Sequence, residues 1–265
     1  MLNKPSISKL LLLGAFTFMS QLATAANEQE KGLEISREAK ARDTGWADHT
    51  ADMLMFLRNK QGQESSRKLR IKTLELLSDG DKSLTIFDSP RDIKGTAFLS
   101  FSHPIGSDDQ WLYLPSLKRI KRISSHNKSG PFMGSEFAFE DLSSFEIEKY
   151  SYKYLGDKIV DGVDSFLVEQ YPLDKNSGYT KRIVWLDKTD YKVQRIDFYD
   201  RKDSLLKTLS YSHYQQYLNK FWRADTMLMV NHQNGKSTEL KWSNYTFKTG
   251  LKQSDFNKNT LKRTR

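Results

Sequence analysis

Five histidines, His49, His103, His126, His213 and His232, are the side chains best suited to proton transfer or metal ligation in this sequence. They are scattered, no His-Glu-x-x-His spacing occurs, and with Cys 0 there is no thiolate to complete a metal site. Ser125 and Lys128 have the Ser-x-x-Lys spacing that pairs a serine with a lysine base in some acyl transferases, but no Ser-Asp-Asn or Lys-Thr-Gly accompanies them. Glu140 and Asp141 are adjacent carboxylates. Neighbours on a strand face opposite sides, which is poor geometry for shared acid–base work, so helix capping or a salt link to nearby cations is the better expectation. The sequence also has no Gly-x-Ser-x-Gly elbow, phosphate loop or dinucleotide fingerprint. No enzyme, metal or cofactor is expected, and a serine hydrolase built on Ser125 and Lys128 is the weakest reading.

The chemistry that stands out is binding. Lys118, Arg119, Lys121 and Arg122 alternate with Leu117, Ile120 and Ile123 in a chain of formal net charge +9. Such a run could meet phospholipid head groups or an acidic partner; it could equally be a strand with a basic outer face. Beyond it, residues 130–142 mix turn-formers with Phe132, Met133, Phe137, Phe139 and Leu142. An aromatic loop of this kind suits a binding site or a plug across an open barrel.

The elements that would position these residues follow from pattern. Lys4 and Lys9, the apolar stretch Leu10 to Met19 and the Ala23-Thr24-Ala25 end read as a secretory signal over residues 1–25, cut after Ala25. The stretch is short of the roughly 20 apolar residues that span a bilayer, so export to the periplasm without stable membrane insertion is expected, and nucleic acid is not a partner. Residues 26–265 carry no Pro/Gly/Ser linker and read as a single domain. Glu28 to Thr50 reads as a weakly amphipathic helix. After it come short alternating segments punctuated by Asp79-Gly80, Ser89-Pro90, Asp161-Gly162 and Asn234-Gly235, the grammar of an antiparallel meander.

An open sheet of so many strands must twist and curl, which gives a half-barrel that the N-terminal helix could close. The aromatic fraction of 12% fits either a lipid-sized hollow or ordinary cross-strand packing. The expected wall or lid residues are Leu69, Ile71, Phe98, Trp111, Tyr113, Phe137 and Phe139, with Lys118, Arg119, Lys121 and Arg122 at a head group or partner. A one-residue register error would move any of them to the other face.

Three spaced motifs resemble the outer-membrane lipoprotein-sorting proteins of the LolA/LolB-like group. They are Gly32-Leu33-Glu34-Ile35 with Asp43-Thr44-Gly45-Trp46, the run from Trp111 to Ser124, and Phe132 to Leu142. The resemblance covers nearly all of the mature chain in order. Glu136 stands where the family's Gly-x-Asp-Phe motif has aspartate, which keeps the charge. The resemblance implies a mainly β fold with a few helices: a curved antiparallel half-barrel with a helical lid, holding a lipid or a lipoprotein acyl chain. It also implies work with an inner-membrane RND-type transporter in outer-membrane lipid or lipoprotein trafficking. A periplasmic interaction or lipid-sensing module that carries no cargo is the alternative.

Overall fold

The computed structural model describes residues 8–263, with side chains from residue 25 onward. The side chains of the expected signal segment up to residue 24 lie outside the described residues. Helix α1 (Ser8–Arg42) leads into β1 (Asp48–Arg58), β2 (Glu64–Leu74), β3 (Lys82–Ser89), β4 (Ala97–Phe101), β5 (Asp109–Leu114) and β6 (Arg119–Ile123). A long segment with short 3-10 turns then connects to β7 (Tyr150–Val160), β8 (Val163–Pro172), β9 (Tyr179–Asp187), β10 (Val193–Asp200), β11 (Leu205–Tyr217), β12 (Phe221–Asn231) and β13 (Ser237–Phe247). The helix stops earlier than the sequence pattern suggests. Gly45 takes φ +105, and residues 48–50 join the first strand instead.

All strands belong to one 13-stranded antiparallel sheet, ordered β6-β5-β4-β3-β2-β1-β13-β12-β11-β10-β9-β8-β7. The two halves of the chain thus join through β1 and β13, and β6 and β7 are free edges of a curved, unclosed sheet. Irregular pairing bends it: register shifts fall in β1, β2, β7 and β10, and β11 and β13 carry His213 and Asn244 at φ 57 and 55.

Alternation then sorts side chains between the faces. On the inner face Val168, Val184, Ile196, Leu209 and Met229 form one register row across five strands, and Met53, Leu69 and Phe87 form another across three. Ile35 of α1 packs into the same inner core. The helix approaches very closely at Gly32, where a Cβ would lie 2.9 Å from the Tyr154 backbone nitrogen on β7.

The outer face of β2–β5 has its own core. Phe256 and Leu261, from the C-terminal turns, cover Leu74, Leu84, Ile86, Ala97 and Leu99. Strands β3 and β4 are therefore covered on both sides, which explains the unbroken apolar run Ala97-Phe98-Leu99.

Candidate functional site

The hollow of the half-barrel is divided by the segment between β6 and β7. Its residues 130–142 fold back under the sheet, and Phe132, Phe137 and Phe139 fill the N-terminal half. Phe132 lies 5.1 Å from Phe98, 5.8 Å from Phe87 and 5.6 Å from Phe139, ring centroid to centroid.

Polar contacts pin this plug. Asp141 accepts hydrogen bonds from Lys207 Nζ at 2.7 Å, from the Tyr179 hydroxyl at 2.8 Å and from the Ala138 N–H at 2.7 Å. Lys207 is only 3% exposed and also donates to the Glu136 carbonyl at 2.8 Å, so its charge is satisfied inside the core. The Glu136 carboxylate accepts from Asn231 at 2.7 Å, and Glu140 accepts from the Ser177 hydroxyl and the Gly178 N–H, both at 2.8 Å. Burial raises the Glu140 pKa, with the Gly178 N–H opposing the rise. The charge at Glu136 and the Glu140-Asp141 pair are thus anchors of the plug, with Asp141 both capping a turn and bridging to a cation.

What the plug leaves open is a cavity of about 720 Å³ between α1 and the inner faces of β8–β13. Its apolar wall includes Val184, Leu186, Val193, Ile196, Met227 and Ala224, with the aromatic rings of Phe145, Tyr211, Tyr214, Trp222, Trp242 and Tyr245. Trp242 and Tyr245 stack with centroids 5.9 Å apart and planes at 21°. Ser36, Ala39 and Lys40 present the C-terminal end of α1 to it, with Asp43 just beyond the helix. Polar groups gather at its rim: Lys40 donates to the Phe145 carbonyl at 2.7 Å and pairs with Glu146 at 3.3 Å, and Arg223 pairs with Asp43 at 2.6 Å. Burial pushes the Tyr211 hydroxyl pKa up.

Leu69, Ile71, Phe98, Phe137 and Phe139 come together on the inner side, in the plugged half, and none of them lines the open cavity. Trp111 and Tyr113 lie on the outer face. They pair with Leu99 and Ala97 and pack on the C-terminal core, because Leu112 takes the inward position between them. Lys118, Arg119, Lys121 and Arg122 are all exposed along the free edge β6 and the turn before it. Arg122 pairs with Asp109 at 2.5 Å, and the other three have no acidic partner among the described residues.

Ser125 and Lys128 do not form a catalytic pair: the Ser125 hydroxyl bonds to Ser107 at 3.1 Å, and Lys128 is held by Asp174 at 2.7 Å. His49 is buried, His103 bonds to Asp79 and His232 to Thr208. Among the described residues no cluster is arranged to hold a metal ion, and no helix is long and apolar enough to cross a membrane.

The cavity wall was poorly marked in the sequence. Its signal is the density of Tyr, Trp and Met at inward positions of β11–β13, visible only once their register and bulges are known.

A family model described as an uncharacterized protein matches residues 79–263. Comparison with curated proteins gives no match. Among solved structures, an outer membrane lipoprotein-sorting protein domain from Vibrio parahaemolyticus is 64% identical, with 89% of this chain and 100% of that chain covered at a TM-score of 0.87. A DUF1329 family protein from Desulfovibrio piger is 28% identical over 88% of this chain and 99% of that one, with a TM-score of 0.84. A LolA superfamily protein from Nitrosomonas europaea, 19% identical over 89% of this chain and 98% of that one, shares the fold at a TM-score of 0.67. With two thirds of the chain inside the family model and close identity over a whole solved relative, this chain belongs to the outer-membrane lipoprotein-sorting protein family.

Proposed function

We propose that this protein is a non-enzymatic periplasmic carrier that shields the acyl chain of a lipid or lipoprotein in the open half of its half-barrel. The observation that carries this reading is the aromatic-lined cavity of about 720 Å³ under α1. Its volume lies in the range of roughly 300–1,000 Å³ typical of small-molecule sites, and apolar surface buried there is worth about 25 cal/mol per Å². Residues 143–145, which follow the plug, line one side of the cavity, and α1 forms a cover that contacts the sheet mainly at β7 and β8. The unpaired cations Lys118, Arg119 and Lys121 at the free edge would bring the carrier to anionic head groups, and an inner-membrane RND-type transporter would be its working partner in outer-membrane lipid or lipoprotein trafficking.

Organic extraction of the natively purified protein, followed by mass spectrometry, tests the carrier reading. A near-stoichiometric acyl-chain lipid is expected, whereas protein that is lipid-free and takes up no added acyl probe contradicts it. Sedimentation with vesicles tests the edge: phosphatidylglycerol vesicles should retain the protein at low salt and phosphatidylcholine vesicles should not, and equal retention would remove the head-group role.

A further inference from the structure

Arg182 of β9 lines the cavity and also a second pocket of about 350 Å³. That second pocket is more polar, with Lys128 and Lys149 in its wall beside Asp108, Glu140, Glu148 and Asp174. Arg182 therefore stands where an apolar compartment meets a polar one.

Its partners are unusual for a partly buried cation. Nε donates to Gln170 Oε1 at 2.7 Å, and the guanidinium lies 4.2 Å from the Tyr150 ring centroid and 5.3 Å from that of Phe145. Gln170 is itself 3% exposed and faces Arg182 directly across the β8–β9 pair. Stacking and one hydrogen bond fix the plane of the guanidinium. Nη1 and Nη2 make no hydrogen bond, and no carboxylate pairs with the group, among the described residues. Neighbouring partly buried cations of the same wall differ: Lys40 has Glu146, Lys192 has Asp190 at 2.7 Å, and Arg223 has Asp43.

A positive charge at the border of an apolar cavity is costly unless something answers it. A planar fork with two free ends matches the two oxygens of a carboxylate or phosphate. We infer that the ligand is an anionic amphiphile, its carboxylate or phosphate held by the Arg182 fork and its tail running along Val184, Ile196, Tyr211 and Met227. The inference rests on the carrier reading and adds a class of cargo and the place of its head group.

The test is displacement of the neutral fluorophore N-phenylnaphthylamine by three amphiphiles with one palmitoyl chain each: palmitic acid, palmitoyl lysophosphatidic acid and neutral monopalmitoylglycerol. Wild-type protein should bind at least one of the charged pair about tenfold or more tighter than the neutral lipid. Which of the two is favoured tells carboxylate from phosphate. Arg182→Gln should abolish that preference. Equal affinities in the wild type, or a preference that survives in Arg182→Gln, would overturn the assignment while leaving the carrier reading intact. Failure of all three lipids to displace the probe would remove the carrier reading, and the assignment with it. The wild-type comparison stands even if the variant folds poorly.

Discussion

At 8% exposure His49 is enclosed by the rings of Trp46, Phe247 and Tyr245, at 5.1, 5.3 and 5.5 Å, and its Nδ1 has no hydrogen-bond partner among the described residues. Burial, with Arg223 adding repulsion, lowers its pKa to about 3, against the pull of Asp48. The folded protein therefore keeps His49 neutral where the unfolded chain protonates it. Stability should fall as pH drops from about 6.5 towards about 3, by up to about 1.4 kcal/mol per pH unit from this group. Urea unfolding of wild type and His49→Leu between pH 6 and 4 checks this, and the variant should lose less stability per unit; parallel curves would show that His49 is not the cause. In the sequence His49 is one of five scattered histidines, and its neighbours leave open whether it is buried or exposed. The choice depends on Tyr245 and Phe247, almost two hundred residues away, which no local pattern connects to it. Trp111 and Tyr113 teach the same lesson: their alternation was plain, but which face it addressed was set by the C-terminal segment lying over them.

Helix α1 meets β7 at Gly32, and the contact is backbone to backbone. A Cβ there would stand 2.9 Å from the Tyr154 nitrogen and 3.0 Å from the Lys153 carbonyl carbon, with no flexible side chain to give way. Gly32→Ala would gain about 1 kcal/mol of helix propensity, but overpacking costs about 1–3 kcal/mol, so a net loss of stability is expected. Chemical denaturation of the variant measures it; an unchanged or raised midpoint would mean that the helix does not sit this close. The glycine was legible as part of a family motif, and its reason becomes visible only in the crossing. The segment from Phe132 to Leu142 was legible in the same incomplete way, as a binding loop or a plug. The structure resolves it as a plug because Glu136, Glu140 and Asp141 find partners on β9, β11, β12 and the turn before β9, contacts that join distant parts of the chain.

The whole molecule is one open sheet whose hollow is half filled by its own chain and half left as a cavity. Meander, curvature and half-barrel could be argued from strand spacing and turn chemistry, because an open sheet of this length has few ways to protect its edges. The position of the vacant half could not, because it depends on where residues 130–142 lie. The five tryptophans divide on this geometry: Trp46, Trp222 and Trp242 line the cavity, whereas Trp111 packs on the outer face and Trp185 stacks under Arg195, its centroid 5.0 Å from the guanidinium carbon. Quenching of tryptophan emission by a fatty acid brominated along its chain therefore reports directly on where a tail enters. Saturable quenching is predicted for the wild type and for a Trp111→Phe, Trp185→Phe variant, and its loss for a Trp46→Phe, Trp222→Phe, Trp242→Phe variant. No quenching of the wild type, or quenching that follows Trp111 and Trp185, would contradict a carrier whose cargo lies under α1.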